Sequence, residues 1–161
     1  MLSGLGTYAQ AWASNGFIFK LFNSSLSPFS INSYLVSKLV CAGIFAVLWF
    51  YVCFGKRTVI EKMFIAVTSL FLLSPVGDPW YFCWVIPFLC IYRRYSLIAL
   101  SFLLILHYFV FTRDFGMFNI GGFKIDNLLL MQYVPFYILL LIERRFNYST
   151  FNKINHRNAV S

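Results

Sequence analysis

Charge is what this chain has least of. Only 11% of its 161 residues are charged, and five of those are acidic. Soluble domains carry roughly 25% charged residues. With 60% of the residues hydrophobic, a single soluble core of this size would fill long before they were housed, so an ordinary water-soluble domain is excluded. Recognised reaction signatures are also missing. There is no P-loop, GxSxG, HExxH or paired-cysteine motif, and no metal or cofactor is expected. Cysteine is sparse: Cys41, Cys53, Cys83 and Cys90 each sit inside an apolar run without metal-ligand spacing. They read as small buried hydrophobes. No cleavable signal peptide is visible, because MLSGLGTYAQAW has neither a charged leading region nor an apolar core. No repeat, low-complexity run or soluble domain stands out.

What is present is grease and positive charge. Twenty Phe and ten Tyr would make a water-exposed protein aggregate, whereas lipid tolerates them. The net charge of +8 does not point to nucleic acid. The 13 Lys and Arg fall between apolar spans and form no continuous stripe. They read as determinants of membrane topology.

The apolar runs lie at about 31–54, 58–74, 80–92, 95–112 and 127–142. Each is continuously apolar, which favours helices over the alternating strands of a barrel. The third is short: thirteen residues rise only about 20 Å against a hydrocarbon core of about 30 Å. It is either re-entrant or preceded by a turn, residues 75–79, that dips into the bilayer surface. The expected fold is therefore all-α: a polytopic helix bundle with about five transmembrane helices in the inner or plasma membrane. Residues 1–30 would be an extracytoplasmic amphipathic or interfacial segment with a loop over 23–30, residues 31–143 the bundle, and 144–161 a basic cytoplasmic tail. With five crossings, the connections at 55–62 and 93–94 share a side with the tail and hold nine Lys and Arg. The opposite side holds Lys20, Arg113 and Lys124. This bias puts the C-terminus in the cytoplasm and the N-terminus outside. An outer N-terminus with no preceding span is awkward to translocate, so the chain reads as the C-terminal part of a longer membrane protein.

The most informative stretch is SPVGDPWYFCWVIPFL, residues 74–89. Pro79 suits the first turn of a helix, where its missing N–H costs nothing. Asp78 suits the N-cap. Such a helix end is partly positive and can hold a phosphate or a sugar hydroxyl. The plainer reading is that Asp78 only caps, while Trp80, Tyr81 and Trp84 anchor the interface. Tyr8, Trp12 and Asn15 recur at helical spacing and would share a face. Aromatic faces there could stack on sugar rings, or the segment could simply be an interfacial helix. His107 lies mid-span; with no acidic neighbour on its own face, it reads as a packing group. Lys38 can snorkel from its span. Asp114 and Asp126 read as solvated charges of a polar loop over 113–126. Pro135 should kink the last span.

Together these segments resemble the C-terminal half of GT-C-type glycosyltransferases of the bacterial mannosyltransferase-like group. Those enzymes use polyprenyl-phosphate sugars. The group's SPxxHPWYxxWxxPxL stretch is matched by residues 74–89, with Asp78 where the group has His. Its Tyr-Ala-x-x-Trp-x-x-Asn segment is matched by Tyr8, Ala9, Trp12 and Asn15. Its Glu-Tyr-x-Pro is echoed by Gln132, Tyr133, Val134 and Pro135. The resemblance implies a lipid-linked sugar donor as partner, alongside membrane lipids. It implies substrate contacts at Tyr8, Trp12, Asn15, Asp78, Trp80, Tyr81 and Gln132. Such enzymes place a catalytic carboxylate in a large outer loop after their first span, and this chain has no such loop. The expectation is a portion without its own assigned catalytic base, inactive alone and completed by a missing N-terminal part or another membrane subunit. The alternative is a non-catalytic accessory subunit or transporter fragment.

Overall fold

A computed structural model describes residues 13–29, 31–111, 117–120 and 123–160. Helix α1, Phe17–Leu26, follows Gly16 and runs through residues read from sequence as the start of a loop. Helix α2, Ser33–Phe54, fills the first apolar run and ends at Gly55. Helix α3, Val59–Leu73, starts at Thr58, whose hydroxyl accepts the Glu61 N–H at 3.3 Å. This caps an otherwise unpaired donor of the first turn.

The third run is broken. It forms two single-turn helices, α4 (Pro79–Phe82) and α5 (Ile86–Leu89), joined by a turn at 83–85. Pro87 explains the break, because it has no N–H to give to the preceding turn and its ring clashes there. Helix α6, Tyr95–Leu103, tightens into a 3₁₀ segment over Leu104–Phe111. The expected loop over 113–126 contains a short antiparallel hairpin, β1 (Met117–Ile120) with β2 (Phe123–Asp126). Helix α7 then runs from Asn127 to Val160, with Pro135 inside it, through the residues read as a tail. No Gly or Pro follows Pro135, so nothing in the sequence stops the helix sooner.

The helical fold stands as expected, with the hairpin as its exception. Among the described residues, one helix, Ser33–Phe54, is by itself long and apolar enough to cross a membrane. Its 22 residues rise about 33 Å.

One core joins α1, α3, α4, α6 and α7 through Phe17, Phe64, Phe82, Leu100, Leu129 and Phe136. A smaller cluster, Phe19, Cys41 and Leu73, attaches α2 at the edge. The outer surface is strongly apolar, with Val47, Phe54, Phe102 and Leu141 all exposed. The cysteines correct an expectation: Cys41 is buried, but Cys53, Cys83 and Cys90 lie on the surface.

Contacts sort the connections into two ends. At one, Thr58 Oγ1 lies 3.3 Å from Tyr92 Oη, and Glu143 of α7 accepts the Ser96 N–H at 3.3 Å and the Ser96 hydroxyl at 2.8 Å. Arg94 Nη1 is 3.9 Å from the other Glu143 oxygen. The basic connections 55–62 and 93–94 and the start of the tail therefore meet. At the other end, Lys20 of α1 pairs with Asp126 of β2, and the 74–79 turn meets the segment before α1.

Candidate functional site

The 74–79 turn is built by short-range bonds. Ser74 ends α3, and its hydroxyl accepts the Val76 N–H at 3.1 Å. Val76 bridges to Ser14 and Asn15, and Gly77 N–H donates to the Ser14 carbonyl at 2.8 Å. Asn15 has φ 53°, a left-handed conformation that Asn tolerates better than most residues. Its buried side chain donates from Nδ2 to the Gly77 carbonyl at 3.0 Å. Tyr133 of α7 donates its hydroxyl to the Asn15 carbonyl at 3.1 Å and stacks on Phe17 at 5.2 Å between ring centres.

Two glycines make this approach possible. A Cβ on Gly77 would lie 2.6 Å from the Asn15 carbonyl oxygen, and one on Gly16 would lie 2.5 Å from that of Ser74. The backbones meet too closely for any side chain.

Asp78 corrects the capping expectation. It occupies the N-cap position of α4, yet its side chain makes no capping bond. It is 1% exposed, and its Oδ1 lies 3.5 Å from His107 Nε2 on the 3₁₀ segment. His107, read from sequence as a packing group, is therefore an ionisable neighbour of the motif aspartate, whose Oδ1 has no hydrogen-bond partner among the described residues. The sequence signal was available only as a lone histidine within an apolar run, because the aspartate beside it comes from another element. The Lys20–Asp126 pair belongs to the same end.

Gln132 is fully buried, and neither its amide oxygen nor its nitrogen has a hydrogen-bond partner among the described residues. Trp80 and Trp84 are 47% and 59% exposed, with the Tyr81 ring 6.0 Å and 5.9 Å from them. Tyr81 and Trp84 wall a cavity of about 270 Å³ together with Leu70, Phe71, Ser74 and Val76. This cavity sits beside the turn and is mostly apolar, with Ser74 and Tyr81 as its hydroxyl-bearing residues.

Of the residues singled out from sequence, Asn15 and Asp78 are brought to one turn, with Trp80 and Tyr81 directly after it. Gln132 lies one residue before the Tyr133 that bonds to the same turn. Tyr8 and Trp12 lie outside the described residues. Asn15 precedes α1 and is not on a helix, so the shared helical face expected for the three does not reach it.

These features define a class: a helical membrane protein whose polar centre is gathered from three separate segments at one end. The particular family is shown by a match to the MptB C-terminal domain over residues 15–119, well over half the chain. The chain belongs to that family, and is a C-terminal part of a mannosyltransferase-like GT-C protein. The match includes Asn15, the 74–79 turn and His107, and ends before Gln132. No curated protein and no solved structure matches the chain.

Proposed function

We propose that this chain forms the C-terminal wall of the donor cleft in a membrane glycosyltransferase that takes its sugar from a polyprenyl phosphate on the extracytoplasmic side. The observation that carries the reading is the meeting of Asn15, Gly77 and Tyr133. They come from the three sequence segments that carry the resemblance, and hydrogen bonds join them at one turn. The apolar cavity beside that turn has the chemistry of a carrier lipid's first isoprenoid units, and exposed Trp80 that of a sugar face.

In the transfer, a base removes the proton from an acceptor hydroxyl, and the oxygen bonds to the anomeric carbon. The bond from that carbon to the phosphate oxygen breaks, and the lipid phosphate leaves with the electron pair. Buried Asp78, 3.5 Å from His107, would help to fix the turn that carries Trp80 and Tyr81. The carboxylate base would be supplied by the missing N-terminal part or another subunit, so this chain would not transfer sugar alone. Five crossings with the turn outside and Arg144–Arg145 in the cytoplasm complete the proposed topology.

The test is glycolipid analysis of a deletion strain complemented with the complete protein carrying Asp78→Ala or Trp80→Ala. Both variants should insert and both should lose transfer. Normal transfer by both would remove these residues from the cleft. Reporter fusions that put position 78 on the same face as Arg144 would end the reading altogether.

A further inference from the structure

The basic end of the bundle carries a cleft that sugar transfer does not use. It measures about 810 Å³ and is walled by Phe50, Tyr51 and Phe54 of α2, by Lys56 and Arg57 of the connection, and by Glu61 of α3. Its aromatic wall is turned outward, Phe54 being 86% exposed, and continues the apolar surface of α2 past Val47. Its rim is cationic. Arg57 Nη1 is held 2.6 Å from Glu61, and Lys62 Nζ donates to the Cys53 carbonyl at 2.7 Å. Lys56 is exposed, with no carboxylate at ion-pair distance among the described residues. The N-terminus of the 15-residue α3 adds a partial positive charge to the same connection. The Thr58–Tyr92 contact brings Arg93 and Arg94 to this end, where both acids, Glu61 and Glu143, are already engaged with arginine.

We propose that this cleft binds an anionic phospholipid, its phosphate on Lys56 and Arg57 and an acyl chain along Phe50 and Phe54. The aromatic wall selects a lipid over a soluble anion, since it would offer the latter nothing but unfavourable desolvation. The excess of cations selects an anionic headgroup, because a choline group would bring a further positive charge to a rim already positive. This site is independent of the proposed sugar chemistry and lies at the opposite end of the helices.

The experiment is native mass spectrometry of the full chain in detergent, titrated with phosphatidylglycerol, phosphatidylcholine or inorganic phosphate. Phosphatidylglycerol should bind well ahead of phosphatidylcholine. Lys56→Gln should weaken phosphatidylglycerol about fivefold, the effect of one cation near a lipid surface. Arg145→Gln, which removes an exposed cation elsewhere at the same end, should change it less than twofold. Phe54→Ala should weaken phosphatidylglycerol and leave circular dichroism unchanged. Equal losses from Lys56→Gln and Arg145→Gln would reduce the effect to a diffuse field and overturn the site. Binding of inorganic phosphate as tight as that of phosphatidylglycerol would overturn the lipid.

Discussion

Adding one methyl group at each of two glycines should have opposite effects. At Gly77, Ala would place its Cβ 2.6 Å from the Asn15 carbonyl oxygen and 3.1 Å from the Tyr133 hydroxyl. The first neighbour is backbone and cannot swing away, so the bridge between the turn and the pre-α1 segment must open. Three bonds depend on it: Gly77 N–H to Ser14, Asn15 Nδ2 to Gly77, and Tyr133 Oη to Asn15. At about 0.6–1.5 kcal/mol each, and with repacking strain added, the loss comes to about 3–5 kcal/mol. For a chain of this length that lowers the melting temperature by roughly 6–20 °C. At Gly43, mid-helix in α2, a Cβ would meet nothing within 4 Å. Ala there recovers helix propensity of about 0.5–1 kcal/mol and should raise the melting temperature slightly. The assay is thermal unfolding of both variants in one detergent, followed by circular dichroism. A Gly77→Ala melt within about 2 °C of the wild type would refute the close approach on which the site rests.

The other predictions concern α7. Glu143→Ala leaves the buried Ser96 hydroxyl and N–H without their acceptor and should cost about 1–3 kcal/mol, whereas Glu143→Gln, which keeps one carbonyl oxygen, should cost less. Equal melting curves for the two variants would contradict the bonding assigned to Ser96. Gln132→Leu removes a buried amide that has no partner among the described residues, so it should stabilise the resting fold by about 1–2 kcal/mol. In the complete enzyme it should also reduce sugar transfer. Destabilisation by Gln132→Leu would mean that the amide is already satisfied.

The helices were largely legible because continuous apolar runs and their stops are local signals. Thr58, Gly55 and the Arg93–Arg94 pair all mark real boundaries. The third run was legible as anomalous, but its division needed Pro87 to be weighed as a breaker within an apolar stretch. The hairpin was not legible, since Met117–Ile120 and Phe123–Asp126 are short and were read with their Gly-containing link as a loop. The continuation of α7 past Ile142 was missed because hydropathy marks where a span ends, not where a helix does. At the site, the motif turn could be found from Pro, Gly, Asp and Trp alone. Its partners could not, because Asn15 and Gly77 are 62 residues apart and Tyr133 lies 118 residues from Asn15.

His107 shows why a motif departure needs three dimensions to interpret. Read along the chain, Asp78 stands where the resembling enzymes have histidine, which looks like the loss of an imidazole. In the fold, Asp78 lies 3.5 Å from the imidazole of His107, supplied by the 3₁₀ segment. An aspartate 1% exposed carries a large desolvation cost unless a polar or charged neighbour offsets it. His107, its side chain 12% exposed, is the ionisable neighbour that the fold places there, without a hydrogen bond to Oδ1. The fold thus brings the two positions together although 29 residues separate them. An imidazole thus lies beside the turn although the motif position itself carries a carboxylate. Position 78 read alone therefore leaves out the ionisable side chain that stands next to it in the fold.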